Sequence, residues 1–255
     1  MEITAPSLAS ETIAHIGAFE IRNTLIMAWL AMAVLIAFGL AVRSTGLKLI
    51  PGRFQTAAEL LVEGLFNFFN SILGDEKRTR KLFPLVATMF LFIIIANWMG
   101  ILPGVGSITV EGMHDGHMMD IPVFRSMNAD MNVTLVFAVV SVIVTQALGF
   151  AALGVAGHVG KYIVMPWKKP FVIGTFLGIL ELIGEFARLA SFSFRLFGNI
   201  FAGEVLLMVI SALVPYIVPI PFYGLEIFVG FIQALVFSML TLVFISMAVT
   251  PHEAH

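Results

Sequence analysis

One apolar stretch constrains this chain more than any other feature. Residues 171–214 are almost continuously hydrophobic, yet Arg195 stands near their middle. A charge at the centre of a bilayer costs at least about 2.5 to 3.5 kcal/mol on the insertion scale. Arg188 can be neutralised by Glu185 at i−3 and by Glu181 at i−7. The helical neighbours of Arg195 are instead Ser191, Phe192, Gly198 and Asn199. Its carboxylate partner must therefore come from elsewhere in this chain or from another chain.

The length of this stretch is a second constraint. As one helix, residues 171–214 would extend about 66 Å, roughly twice the hydrocarbon thickness of a bilayer. We therefore expect the helix to tilt steeply, to lie partly in the membrane plane, or to break. Pro215, Pro219 and Pro221 predict a turn, after which the apolar residues 224–248 run back. Residues 171–248 are thus predicted to form a long helical hairpin.

The composition places the whole chain in a membrane. Apolar residues make up 59% of it, charged residues only 12%, and the mean hydropathy is +1.00, which excludes the soluble classes. Further segments long enough to cross are residues 24–42, 82–102 and 133–156. The predicted fold class is an all-α polytopic membrane protein with about five membrane helices. The absence of cysteine excludes disulfides, thiolate metal sites and cysteine nucleophiles.

Residues 53–73 have a different, amphipathic character. One helical face carries polar side chains, namely Glu59, Glu63, Asn67 and Asn70. The other carries apolar ones, namely Phe54, Ala58, Leu61, Leu65, Phe69 and Ile72. This pattern predicts an interfacial helix, and the alternative is a helix that packs against its own bundle.

The charges of the connections predict the orientation in the membrane. The first and third connections are basic, with Lys48, Arg53, Lys77, Arg78, Arg80, Lys81, Lys161, Lys168 and Lys169. The second, residues 103–131, carries Glu111, Asp115, Asp120 and Asp130 against Arg125 alone. By the positive-inside rule the basic connections are cytoplasmic. Segment 1–23 is then outside and tail 249–255 is cytoplasmic. The first 21 residues contain acids but no Lys or Arg, so we expect no removable signal peptide.

Ionisable residues recur within the predicted hairpin. At 100° per residue, Glu181, Glu185, Arg188, Arg195 and Asn199 share one stripe. Glu204 lies on a different face, about 13 Å along the axis from Arg195. On the last helix, Glu226 and Gln233 share a face, with Gly230 beside them to allow close approach.

These polar groups have a structural and a functional interpretation. Hydrogen-bonding between helices is an equally good explanation for Asn199, Gln233 and Ser191 taken alone. Arg195, Glu204 and Glu226 together favour a water-facing or ion-conducting site, because three ionisable groups in adjacent spans are otherwise costly. A carboxylate can relay a proton, whereas a guanidinium stays charged and acts as a fixed electrostatic barrier.

Other patterns do not indicate a site. His114, Asp115, His117 and Asp120 resemble a metal cluster in composition, but they occupy an exposed acidic loop, so we expect no metal. Residues 157–161 lack the glycine spacing of a phosphate loop, and no protease motif is present. We therefore expect no cofactor, no bound nucleotide or nucleic acid, and no catalysis by this chain alone.

A family resemblance rests on several motifs. The run Ser193-Phe194-Arg195-Leu196-Phe197-Gly198-Asn199, followed by Ala202-Gly203-Glu204, resembles the signature of subunit a of the bacterial F-type ATP synthase membrane sector. Supporting motifs are Phe83-Pro84-Leu85-Val86-Ala87-Thr88, Ala96-Asn97 before Gly100-Ile101-Leu102-Pro103-Gly104, and Gln233-Ala234. The resemblance extends from about residue 76 to the C-terminus, and the first 75 residues match only in general character.

The resemblance implies a stator protein of the bacterial inner membrane. Its hairpin would wrap a rotating ring of c subunits, with Arg195 facing the essential carboxylate of the ring, and b-type subunits of the peripheral stalk would be further partners. Protons would enter through an outer half-channel and leave through a second one, which Arg195 separates from the first. Glu204, Glu226, Asn199 and Gln233 would belong to the outer path, and Glu181, Glu185 and Arg188 are candidates for the exit path.

Two features depart from the family pattern or conflict with it. Some relatives have histidine where this chain has Glu226, so two carboxylates replace a mixed pair. In addition, a hairpin symmetric about the prolines sets Arg195 level with residues near 242, whereas the family places Gln233 near the arginine; we follow the family.

Two rival functions remain open. A self-contained channel or secondary transporter would move its substrate when reconstituted alone. An assembly scaffold would tolerate the loss of Arg195.

Overall fold

Six long helices and two short hairpins make up the protein. The computed structural model describes residues 10–250 except 18, 45, 47, 49, 103, 115–116 and 161–170. The helices are α1 (Asn23–Ser44), α2 (Arg53–Leu73), α3 (Glu76–Gly100), α4 (Met131–Val159), α5 (Phe171–Leu213) and α6 (Pro219–Val249). Our predictions for Asp115, Lys161, Lys168, Lys169 and residues 251–255 fall outside the described residues.

The predicted all-α membrane fold is confirmed. Within the described residues, the helices other than α2 are all long and apolar enough to cross a bilayer. Helix α3 starts six residues before the predicted span, at Glu76, because Asp75 caps it. The Asp75 carboxylate accepts hydrogen bonds from the backbone N–H groups of Lys77 and Arg78 at 2.9 and 3.2 Å. The polar first turn of α3 thus continues the helix beyond the hydrocarbon.

Two antiparallel β-hairpins occupy segments for which the sequence predicted only connecting chain. Strands β1 (Thr12–Ile16) and β2 (Phe19–Arg22) pair immediately before α1, and β3 (Thr109–His114) pairs with β4 (His117–Pro122) in the acidic connection. Strand β1 contacts β3, so the hairpins meet on one side of the bundle. A short 3-10 helix, Met127–Ala129, then leads into α4.

Helix α2 packs against the bundle through one part of its apolar face. Leu65 and Phe69 are buried and join the main core with Leu82, Val86 and Phe90 of α3. At its other end Phe54 is 44% exposed. The described contacts therefore include packing against the bundle, which was the alternative to a purely interfacial helix.

The main core lies where α3, α4, α5 and α6 meet. The buried side chains that these helices contribute are large and apolar, and they include Phe90, Ile93, Phe192, Leu196, Ile200, Phe237, Leu242 and Ile245. Helix α1 forms a smaller cluster with α3 through Met27, Ala31, Ala96 and Met99. This packing leaves one side of α5 uncovered, from Ala187 through Arg195 to Ala202.

Helix α5 is continuous over its 43 residues. Of the three possibilities for the long apolar stretch, a break is therefore excluded. Helix α6 begins at Pro219, whose fixed φ suits the first turn of a helix.

The register expected from a symmetric hairpin is wrong. Asn199 of α5 bonds to Gln233 of α6, and the rings of Phe192 and Phe237 are 4.9 Å apart between centroids. Arg195 therefore lies opposite residues earlier than 242. The reason is the turn, which centres nearer residue 216 than the middle of the prolines.

Candidate functional site

Arg195 extends from the middle of α5 on its uncovered face. Its Nη2 group donates a hydrogen bond to Ser191 Oγ at 3.0 Å, one turn earlier. Among the described residues, no carboxylate lies within ion-pair distance of this guanidinium. Gly198, almost one turn later, has open space where a side chain would be. The site thus presents an exposed cation next to open space in the middle of α5.

Asn199 continues the polar surface one turn beyond Arg195. Its Nδ2 group donates to Gln233 Oε1 at 2.7 Å. Asn199 is exposed, whereas Gln233 is 3% exposed and lies between the helices. The pair brings together two residues predicted as site members and connects the uncovered face to the interior of the hairpin.

Glu226 extends from α6 into the interior of the hairpin. It is buried and lies directly against Gly203 of α5, where any Cβ atom would overlap the Glu226 carboxylate. The absence of a side chain at residue 203 therefore allows the carboxylate of α6 to touch the backbone of α5. Glu204 is the residue after Gly203. The structure therefore brings the predicted carboxylates of Glu204 and Glu226 to the same region between α5 and α6.

Glu204 pairs with a residue that the sequence did not select. Arg125 Nε donates to Glu204 Oε1 at 3.2 Å, and the side chains are 4% and 27% exposed. Arg125 belongs to the segment between β4 and the 3-10 helix. The available signal was its position as the single cation of an acidic connection, but 79 residues separate it from Glu204.

A cavity of about 280 Å³ joins these groups. Its polar lining comes from four elements and consists of Asn97, Arg125, Ser126, Glu204, Tyr223 and Glu226. A water molecule occupies about 30 Å³ of liquid, so this volume has room for several. The carboxylates and amides supply the hydrogen-bond partners that such waters need.

A buried amide pair holds α6 in position beside this cavity. Asn97 Nδ2 donates to the Gly230 carbonyl at 2.9 Å, and Asn128 Nδ2 donates to Asn97 Oδ1 at 2.7 Å. Both asparagines are at most 1% exposed. Trp98 Nε1 donates to the Ile227 carbonyl at 3.1 Å. These bonds fix the segment of α6 that carries Glu226.

The candidates for the exit path lie towards the other end of α5. Arg188 Nη1 donates to Glu185 Oε1 at 2.7 Å, as the i−3 spacing predicts, and the guanidinium lies 4.1 Å from the centre of the Phe244 ring. Glu185 and Gln146 of α4 line a second cavity of about 280 Å³. Glu181 is half-buried one turn earlier. The polar stripe thus contains one arginine that is paired with a carboxylate and one that has no carboxylate partner among the described residues.

Comparison with known proteins places this chain in a family. The family model described as ATP synthase A chain matches residues 25–246, a range that includes every predicted site residue. Proteins named ATP synthase subunit a are similar along nearly the whole chain. The protein from Desulforamulus reducens is 35% identical over 94% of this chain and 84% of its own length. Those from Campylobacter jejuni strain 81-176 and Moorella thermoacetica are 33% and 30% identical, over 89% and 94% of this chain and 90% and 96% of their own lengths. The chain therefore belongs to the ATP synthase A chain family.

Proposed function

We propose that this chain is the proton-conducting stator subunit of an F-type ATP synthase in a bacterial inner membrane. In this role it couples proton flow to the rotation of a ring of c subunits, is held by b-type subunits of a peripheral stalk, and does not itself bind nucleotide. Membership of the family supports the assignment, as do relatives named ATP synthase subunit a.

The observation that carries the proposal is the state of Arg195. Its guanidinium is exposed in mid-helix, and no described carboxylate pairs with it. A cation in hydrocarbon needs a counter-ion. A carboxylate on a passing c subunit would supply it, and the small residues Ser191 and Gly198 leave space for a ring helix to approach.

The contacts on one side of Arg195 support an outer half-channel. Protons reach the cavity at Glu204, which has room for several water molecules, and pass to Glu226, whose carboxylate lies against Gly203. Gln233, about 10 Å further along α6, bonds to Asn199. Asn199 lies one turn from Arg195, so this sequence of contacts ends at the position proposed for the ring carboxylate.

The exit half-channel would begin on the other side of Arg195. Glu181, Glu185 and Arg188 lie towards the start of α5, where Glu185 faces the cavity shared with α4. Arg195 stands between the two sets, and its permanent charge opposes direct passage of a proton. A proton therefore crosses only when a ring carboxylate carries it past the arginine.

Replacement of Arg195 by alanine tests this function. In vesicles that carry the whole complex, Arg195→Ala is expected to abolish both gradient-driven ATP synthesis and ATP-driven pumping while passive proton leak persists. Arg80→Ala is the control, because Arg80 is an exposed helix arginine whose partner, Glu76, is also exposed. An Arg195→Ala complex that makes ATP at the normal rate refutes the proposal.

Reconstitution separates this function from the two rivals. The purified chain alone is expected to show no gated proton flux, whereas a channel or secondary transporter would show flux without partners. Mild detergent extraction should yield this chain together with a ring of small hairpin proteins. An assembly scaffold would keep its activity in the Arg195→Ala variant.

A further inference from the structure

A buried cation from a connecting segment meets the proposed outer path. Arg125 is 4% exposed although it belongs to a connection between elements. A guanidinium is charged at any working pH, and burial of an unpaired charge is strongly unfavourable. The Glu204 carboxylate neutralises the charge of Arg125, with Oε1 of Glu204 at 3.2 Å from Nε of Arg125. The fold thus places a permanent positive charge beside the first carboxylate of the proposed path.

The ion pair of Arg125 and Glu204 lies at the edge of the cavity. Both side chains line the cavity that also contains Glu226, so the Glu204 carboxylate has the cavity on one side and Arg125 on the other. Within the part of the chain that the structure describes, Arg125 is the cation that lines this cavity, and it forms an ion pair with Glu204.

We propose that Arg125 is a positioning residue for the outer proton path, holding the Glu204 carboxylate at the cavity as an anion ready to accept a proton. This inference rests on the proposed function. A hydronium ion in the cavity donates its proton to Glu204, an O–H bond forms, and water remains. The neutral carboxyl group no longer pairs with Arg125. Passage of the proton through cavity water to Glu226 restores the Glu204 anion and the ion pair.

A double-mutant cycle separates this role from a purely structural one. Gradient-driven ATP synthesis is measured in vesicles with the whole complex for Arg125→Gln, Glu204→Gln and the double variant. Arg125→Gln is expected to slow synthesis by at least about ten-fold, because it leaves the Glu204 carboxylate without the cation that positions it. In the Glu204→Gln background the same change should have less than about a two-fold effect, because the carboxylate that it positions is absent.

A matched control and a second variant keep the test decisive. Arg22 pairs with Glu20 at the same 3.2 Å on β2, but the two side chains are 40% and 48% exposed. Arg22→Gln should therefore leave synthesis within about two-fold of normal. Arg125→Lys retains the charge and should exceed Arg125→Gln in rate. If Arg125→Gln fails to assemble, Arg125→Lys and the double variant, which removes both charges of this ion pair, carry the comparison.

Each outcome decides one point. Normal synthesis in Arg125→Gln, or equal fold-losses in both backgrounds, overturns the inference, and so does an assembled Arg125→Lys complex as slow as Arg125→Gln. Normal synthesis in Glu204→Gln would instead remove Glu204 from the path and count against the proposed function. A slow Glu204→Gln complex with a normal Arg125→Gln complex leaves the proposed function intact and rejects only the role of Arg125.

Discussion

Gly203 offers a way to move one carboxylate of the site without changing its chemistry. A Cβ atom at this position would overlap the Glu226 carboxylate, which is the mobile end of a long side chain. Ordinary carbon contacts are about 3.5 to 4 Å, so in Gly203→Ala the carboxylate must shift by more than about 1 Å. The helix itself gains, because alanine is favoured over glycine in a helix interior by about 1 kcal/mol.

Function and stability should therefore change in opposite directions. A misplacement of about 1 Å in a reacting group can cost up to about a hundred-fold in rate. We expect Gly203→Ala to lower gradient-driven ATP synthesis by about ten-fold or more while the complex assembles and resists heat at least as well as wild type. Gly39→Ala is the control, since Gly39 lies within α1 and a Cβ there would meet nothing within 4 Å.

A combined variant checks that the effect passes through Glu226. Gly203→Ala should have little further effect in a Glu226→Gln background, where the proposed proton carrier has already been removed. Normal synthesis in Gly203→Ala would show that the position of the Glu226 carboxylate is unimportant and would refute the reasoning. A thermally weaker complex would point instead to disturbed packing between α5 and α6.

Two further predictions concern hydrogen bonds between helices. Asn199→Ala and Gln233→Ala should each slow ATP synthesis, and the double variant should be within about two-fold of the slower single, because the 2.7 Å bond makes them one unit; losses that multiply would contradict this. Thr241→Val removes a buried hydroxyl contact with Ser141 at 2.9 Å and should reduce stability by about 0.6 kcal/mol in thermal unfolding of the complex, whereas Thr88→Val, which removes an exposed bond within one helix, should not.

The sequence predicted those features of the fold that depend on local periodicity and on the bilayer. The spacing of Leu65 and Phe69 identifies the buried side of α2, and both side chains lie in the core. The apolar runs identify the membrane helices, because a chain in lipid must satisfy its backbone hydrogen bonds internally and a helix does so. The sequence did not predict the hairpins β1–β2 and β3–β4, because strands of four to six residues give little periodic signal.

Of the contacts at the site, helical geometry could predict only those between residues of the same helix. Arg188 and Glu185 are three residues apart, so their bond follows from the helix alone. The contact of Arg125 with Glu204 requires knowledge of how a connection folds back over the hairpin, and no local pattern contains it. The register of α5 against α6 depends on the turn before Pro219, whose length proline positions do not determine.

The two arginines of α5 differ in how accessible they are to a carboxylate of another chain. Arg188 and Arg195 are seven residues apart and share a helical face, so position in the sequence does not distinguish them. Glu185 pairs with Arg188 at 2.7 Å, and Phe244 of α6 covers its guanidinium. A ring carboxylate that approached Arg188 would have to displace both partners, whereas Arg195 holds only the hydroxyl of Ser191. Because a counter-ion is gained most readily where none must be displaced, the proposed ring carboxylate is expected to be stabilised at Arg195 and not seven residues earlier.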